Sequence, residues 1–307
     1  MLNSRRLGLP RGVTLVELIV AMVVAGIVLS LIASVSVHQQ RIYSDRADAD
    51  ALSVQLRDAA AILPIDLRGA ASSAGDIRNG EASDTAIEIR ATIGSAVACD
   101  TNSAGVVLAP SVAGAGTYAN FLTPIQVGDT AWIYSAREAR DEWRPFRIRN
   151  VSSAAPGHCA PLGPTLDGAE RLTSRIAIAF DDGPPLGEIA GLPMRFTRPL
   201  RYSLYRAADG AWYLGERDWN NGTARFNFIQ PVAGPFVSAS QGGLSFAYLD
   251  TVGAPLATPV VNSRAISLIT LVLRGETKKV ARELSAAGPL AKRSDSVSLM
   301  VLLRNRR

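Results

Sequence analysis

The fold is decided by residues 13–37, VTLVELIVAMVVAGIVLSLIASVSV. Residues 18–37 carry no charge, and Ser30, Ser34 and Ser36 are the only polar residues among them. At a rise of 1.5 Å per residue, a helix over these residues is about 30 Å long, which matches the hydrocarbon core of a bilayer. An ordinary secretory signal has a shorter apolar part of about 7–15 residues. The stretch therefore predicts a helix that spans a membrane once.

Basic residues precede this apolar stretch. Arg5, Arg6 and Arg11 lie on its N-terminal side, and the positive-inside rule then places the N-terminus in the cytoplasm. We expect the rest of the chain to lie on the other side of the membrane.

Glu17 lies inside the apolar stretch, and the same helix face carries no Lys or Arg in the next two turns. An unpaired carboxylate within a membrane helix costs roughly 2.5–3.5 kcal/mol on insertion scales, and less near an end. Two interpretations stay open: Glu17 is a charge tolerated near the interface, or it pairs with a positive group of another chain.

The hexapeptide Gly12-Val13-Thr14-Leu15-Val16-Glu17, followed by a long apolar helix, resembles the signal of type IV prepilins and pseudopilins. The resemblance implies that prepilin peptidase cleaves after Gly12 and that Val13 becomes the methylated N-terminus. Glu17 is then the fifth residue of the mature chain, as in that family, and Thr14, Leu15 and Val16 belong to the assembly segment. Val13 stands where Phe is more common, while Thr-Leu-Val-Glu follows the family pattern.

The resemblance also implies partners and a location. Cleavage creates a charged amine at the membrane face, and Glu17 of a neighbouring subunit can neutralise it. The expected partners are other pilins or pseudopilins through helix packing, prepilin peptidase and the inner membrane. The globular domain would lie in the periplasm, and from the inner membrane the subunit would enter a pilus or pseudopilus filament.

The helical pattern continues beyond the membrane segment. Apolar residues recur at helical spacing over residues 38–63, and charged residues occupy the other face. We read the acidic residues of that face, Asp45, Asp48 and Asp50, as solvated rather than as metal ligands. Pro64 predicts the end of the helix. The expected organisation is a basic leader over residues 1–12, one long helix over 13–63 that spans the membrane over 13–37, and a globular domain over 64–307.

Beyond Pro64 the sequence changes to short extended segments separated by Gly, Pro, Asn and Asp. No second long amphipathic helix alternates with them, so a parallel doubly wound sheet is excluded in favour of an α+β, pilin-like fold with one or two antiparallel sheets on the helix. Residues 68–83 and 94–120 are small, polar and rich in Gly and read as loops. The predicted strands cover residues 87–93, 131–135, 146–151, 175–180, 200–206, 211–215 (a hairpin with the preceding strand), 244–249, 265–274 and 297–303.

The C-terminal part carries a looser resemblance. Residues 244–250, LSFAYLD, are followed by a turn at Gly253 and a further strand. This order is similar to that of large minor pilins of the PilW type and, next, of J-type pseudopilins of type II secretion. Residues 70–196 resemble no family.

Composition excludes several classes of function. The 307-residue chain is 48% hydrophobic, has a net charge of +5, and contains two His and two Cys. It therefore cannot form a zinc finger, a four-Cys iron–sulfur cluster or a three-His metal site alone, and we expect no nucleic-acid partner. Cys99 and Cys159 predict a disulfide in an oxidising compartment. Buried thiols, or a catalytic pair of Cys159 with His158, are the alternatives.

No nucleophile elbow, phosphate-binding loop, dinucleotide fingerprint or zinc-protease motif occurs in the sequence. We therefore expect no catalytic residue, metal or cofactor. Three hypotheses stay open: a minor pilin of a type IV pilus, a J-type pseudopilin, and a membrane-anchored adhesin or enzyme.

Overall fold

The computed structural model divides the chain into two compact units, residues 1–51 with 277–293 and residues 52–276 with 294–307. The predictions for Gly12, Val13, His158 and Cys159 lie outside the described residues. The residues that the structure describes are 14–102, 105–110, 118–135, 142–155, 174–182, 190–282 and 290–303.

One helix, α1, covers Leu15–Gly69. Within the first unit, the large apolar side chains of residues 15–37 are exposed. Within the second unit, one face of the helix is buried in the protein core and the opposite face is exposed, as the spacing of apolar residues predicts. The buried side chains are those of Leu52, Leu56, Ala59, Leu63 and Leu67.

The helix does not end at Pro64. It continues to Gly69 with Pro64 buried inside it, so the predicted end is wrong. A proline within a helix costs about 3 kcal/mol, because it lacks a hydrogen-bond donor and crowds the preceding turn. Leu63 and Leu67 are both fully buried, and burial of each leucine contributes about 1.5–3 kcal/mol. Packing on both sides of Pro64 therefore outweighs the cost of the proline.

Over the described residues, fifteen strands form two antiparallel sheets. The larger sheet has the order β1-β2-β3-β7-β6-β5-β8-β9-β10, with β4 paired to β2 and β11 to β9, and the smaller sheet has the order β13-β12-β14-β15. The strands are β1 Ile77–Ala82, β2 Ala86–Asn102, β3 Gly105–Leu108, β4 Ala119–Phe121, β5 Thr130–Ser135, β6 Glu142–Ala154, β7 Arg175–Phe180, β8 Pro193–Arg206, β9 Trp212–Asn220, β10 Arg225–Phe226, β11 Gln230–Phe236, β12 Leu244–Leu249, β13 Pro255–Leu256, β14 Leu268–Arg282 and β15 Leu290–Leu302.

Part of the larger sheet closes on itself. β2 pairs with β8 from Ala86–Ser203 to Val97–Pro193, and β2 also pairs with β3. Because β3, β7, β6, β5 and β8 are paired in succession, the β2–β8 pairing closes a ring of six antiparallel strands. We call this ring the barrel.

Among its described residues, the second unit contains two large hydrophobic cores. The first lies between the buried face of α1, the first half of β2, the second half of β8 and the smaller sheet. It includes Ile87, Ile89 and Tyr202. The second fills the barrel and includes Ile93 and Phe196. Both β2 and β8 run through the two cores.

The strand predictions hold for most of the chain. The bounds of β7 and β12 are those that the sequence predicts, and β8, β9 and β14 overlap their predicted segments. The predicted hairpin between β8 and β9 is confirmed, because Ala207 N–H donates to the carbonyl of Ala211 and Gly210 has a positive φ of 81°. The α+β prediction, with a long helix on antiparallel sheets, is confirmed.

The two long predicted loops are wrong. β1 lies within residues 68–83, and residues 94–120 contain the second half of β2, all of β3 and the start of β4. A Cβ atom at Gly94 would lie 2.4 Å from the Phe121 ring, and one at Gly105 would lie 1.9 Å from the carbonyl oxygen of Ile178. These glycines allow strands to approach closely, which is a role that glycine also has inside sheets.

Candidate functional site

The start of α1 is capped by the threonine of the predicted assembly segment. The backbone N–H of Glu17 donates to Thr14 Oγ1 at 3.3 Å, and Leu18 N–H donates to the Thr14 carbonyl at 3.1 Å. Thr14-Leu15-Val16-Glu17 has the spacing of a capping box, in which Ser or Thr precedes the helix and Glu or Gln ends its first turn. The pattern therefore fixes the first helical residue and places Glu17 in the first turn.

Glu17 lies in the first turn of α1, where the helix favours an acidic side chain. The amide groups at a helix N-terminus carry a partial positive charge, which stabilises acidic side chains in the first turn. Within the part of the chain that the structure describes, Glu17 makes no ion pair. Leu15 and Val16 beside it are 78% and 69% exposed. The carboxylate therefore lacks a cation among the described residues.

The helix that follows satisfies its own polar groups. Ser30 Oγ donates to the carbonyl of Ile27 and Ser34 Oγ to that of Leu31, each at 2.8 Å. A hydroxyl group that donates to its own helix needs no hydrogen bond from water. Polar groups in the hydrocarbon core of a membrane must be satisfied within the protein in this way. α1 is long and apolar enough to cross a membrane, and no residue of its most apolar stretch is buried within the protein.

These features define the class: a membrane-anchored protein with a pilin-like α+β fold, whose apolar helix begins with a capped acidic turn. Residues 10–33 match the family model described as the prokaryotic N-terminal methylation motif. The chain therefore carries a type IV prepilin-type signal and is a pilin- or pseudopilin-like protein. The signal implies processing by prepilin peptidase and pilin-type partners. Comparison with curated proteins and with solved structures finds no match.

One joint between α1 and the larger sheet uses residues that the sequence does not single out. Tyr202, fully buried in β8, donates from its hydroxyl to Asp66 Oδ2 at 2.5 Å. Glu216 Oε2 lies 3.4 Å from the same Tyr202 hydroxyl oxygen. Burial and the nearby Asp66 carboxylate raise the pKa of Tyr202. The phenol therefore keeps its proton and ties the last turns of α1 to the sheet.

A second joint is an ion pair just beyond the helix. Asp76 is fully buried and accepts two hydrogen bonds from Arg195, at 2.7 and 3.2 Å, and one from the Ala71 N–H at 2.8 Å. Arg195 also donates to the carbonyl of Gly69 at 3.3 Å, and its guanidinium lies 5.3 Å from the Trp132 ring centroid. The carbonyl at the end of α1 is thereby bound by a cation, which the helix dipole favours.

Only one of the two cysteines is described. Cys99 in β2 is 2% exposed, and its Sγ accepts a hydrogen bond from Arg175 Nη1 at 3.4 Å. No cysteine is free among residues that the structure describes. Because Cys159 lies outside them, the Cys99–Cys159 disulfide stays a prediction.

The acidic residues considered as metal ligands do not form a metal site. Among the described residues, no group of three or more His, Cys, Asp or Glu side chains could hold a metal ion. Asp45, Asp48 and Asp50 lie within α1. Elsewhere, Asp181 follows β7 in a turn. Asp181 is within 3.8 Å of Arg147, and both side chains are largely exposed.

Proposed function

We propose that the protein is a minor pilin, a structural and assembly subunit of a type IV pilus without catalytic activity. The observation that carries the proposal is the capped Glu17 turn, at the head of an exposed apolar helix and within the methylation motif. Cleavage after Gly12 would leave the amine of Val13 next to this turn in the sequence. The amine of one subunit and the Glu17 carboxylate of its neighbour form an ion pair that removes the cost of a lone charge in the membrane.

The size of the globular domain favours a subunit present in small numbers. Without residues 1–12 the chain has 295 residues, and the barrel adds a second core to the one on which α1 packs. A domain of this bulk is difficult to repeat in every layer of a thin filament. At a filament tip it would contact other minor subunits and hold the first of them in register.

A J-type pseudopilin of type II secretion is the alternative. A pseudopilin would use the same pairing of Glu17 with the N-terminal amine of a neighbour. The size of the domain favours the minor pilin, because J-type soluble domains are usually smaller than this one. A membrane-anchored adhesin or enzyme is the second alternative, and for it the Glu17 carboxylate has no role.

The experiment follows both processing and incorporation in the native host. We expect the mature chain to begin with N-methylated Val13 only when prepilin peptidase is present, and to occur in the sheared pilus fraction. Glu17→Ala should be processed normally but lost from that fraction, while Thr14→Ser, which keeps the capping hydroxyl, should be incorporated. An unprocessed Met1, or full incorporation of Glu17→Ala, would exclude the pilin proposal. Recovery only with secretion components would favour the pseudopilin.

A further inference from the structure

We propose that Arg46 and Asp50 make a second charged contact with neighbouring pilin-type subunits, in the same register as the contact of Glu17 with the mature N-terminus. This inference rests on the proposed function. The partner is the parallel N-terminal helix of another pilin-type subunit, which carries a basic or acidic residue at the equivalent height. The contact extends charge pairing from the membrane end of α1 to its amphipathic part.

The spacing of charges along α1 supports a common register. Glu17 follows Val13 by four residues, and Asp50 follows Arg46 by four residues. A neighbour shifted along the axis so that its amine meets Glu17 therefore brings the residue at its position equivalent to 46 to Asp50, where the proposal requires a basic side chain. On the other side of the subunit, the same shift brings the residue of the next neighbour equivalent to position 50 to Arg46, where the proposal requires an acidic side chain.

The two charged sites also lie on the same side of the helix. Asp50 follows Glu17 by 33 residues, and at 3.6 residues per turn these make slightly more than nine turns. Asp50 is therefore only about 60° around the axis from Glu17 and about 50 Å further along it. A neighbouring parallel helix that contacts Glu17 can contact Asp50 as well.

Both side chains are available to a partner. Arg46 and Asp50 are exposed, and neither makes an ion pair with another described residue. Pairing between Arg46 and Asp50 within α1 is weaker than in the opposite order, because ion pairs four residues apart are stronger when the acidic residue comes first. Two opposite charges one turn apart, neither paired with a described residue, present the complement of the same arrangement on a neighbour.

The chain supplies a matched control in Arg41 and Asp45. They have the same four-residue spacing and the same order, and Arg41 is also exposed without an ion pair among described residues. Arg41 precedes Arg46 by five residues, which turns it about 140° around the helix. It therefore points away from the side that carries Glu17 and Asp50.

The first test compares charge reversals in the full chain in its native host. Arg46→Glu and Asp50→Lys should be processed at Gly12 like the wild type but fall roughly five-fold in the sheared filament fraction, the factor expected for one exposed ion pair made repulsive. Arg41→Glu should be incorporated at the wild-type level. Equal incorporation of all three variants would overturn the proposal.

The second test maps the register directly. A photo-crosslinking amino acid at position 46 should join a neighbour's helix as far from that neighbour's mature N-terminus as Asp50 is from Val13. Cross-links only at other heights, or only to globular domains, would contradict the common register. If the processed wild type is absent from filaments, the proposed function itself fails. If the wild type is present and depends on Glu17 while the Arg46 and Asp50 variants behave like Arg41→Glu, only this inference fails.

Discussion

The hydroxyl of Tyr202 in β8 donates a hydrogen bond of 2.5 Å to the Asp66 carboxylate near the end of α1. The bond joins residues far apart in the sequence and holds the helix against the larger sheet. Tyr202 is fully buried, so its hydroxyl has no water to replace Asp66. Removal of this hydrogen bond should therefore weaken the packing of the last turns of α1 on the larger sheet.

We expect Tyr202→Phe to lower the free energy of unfolding by about 1.5–3 kcal/mol, the range for hydrogen bonds to charged groups. Urea unfolding of the full chain in detergent, followed by tryptophan fluorescence, measures the change. Tyr213→Phe is the control, since Tyr213 bonds to Asp209 at the exposed hairpin. Equal effects of the two variants would show that the Tyr202–Asp66 hydrogen bond stabilises the fold no more than an exposed one does.

Stability should also depend on the protonation of Glu216. Burial, and then the Asp66 carboxylate, raise the pKa of Glu216 above its ordinary value of 4.5. A raised pKa in the folded state means that the stabilisation is complete below the unfolded pKa and is lost as the pH rises through the folded pKa. The side chain of Glu216→Gln cannot ionise, so the Tm of this variant should fall less than that of the wild type as the pH rises above 4.5. Parallel Tm curves would contradict the assignment.

The buried pair of Asp76 and Arg195 should be far more sensitive than an exposed pair. Asp76→Asn should cost about 3–5 kcal/mol, because it leaves the Arg195 guanidinium without its buried partner. Arg147→Ala, which removes the exposed pair with Asp181, should cost about 0–1 kcal/mol. Chemical denaturation of both variants in detergent provides the comparison, and similar midpoints would refute the ranking.

The predicted Cys99–Cys159 disulfide can be measured by peptide mapping. Digestion without reductant should give one peptide pair containing both cysteines, which separates on reduction. Cysteine-to-serine replacement at both positions should cost about 4 kcal/mol on the chain-entropy model for a loop of this length. Free thiols at both positions in protein taken from the periplasm would contradict the disulfide.

The N-terminal helix, with Glu17 in its first turn, is the part of the fold that the sequence predicts most directly, because a long uncharged apolar stretch has few alternative structures. It predicts the end of the helix wrongly, because the burial of Leu67 and the contact of Asp66 with Tyr202 depend on a distant strand. It also reads Gly94 and Gly105 as loop residues. Their function is to let strands approach each other, and only the pairing of those strands reveals it.

The charged joints are hidden from the sequence for a similar reason. Asp76 precedes Arg195 by more than a hundred residues, and no local pattern links them. In contrast, Thr14 and Glu17 lie one helical turn apart, so their relationship is visible in the sequence and is the part of the site that could be predicted from it.

The continuity of β2 and β8 through both cores has a mechanical consequence. The pairing of the two strands is irregular between Thr92 and Gly94, where the first core gives way to the second. Such a bulge bends a strand without interrupting it. The direction of the barrel relative to the last turns of α1 is therefore set by two hydrogen-bonded strands and not by a linker. A load applied to the barrel is therefore transmitted through these two strands to the last turns of α1.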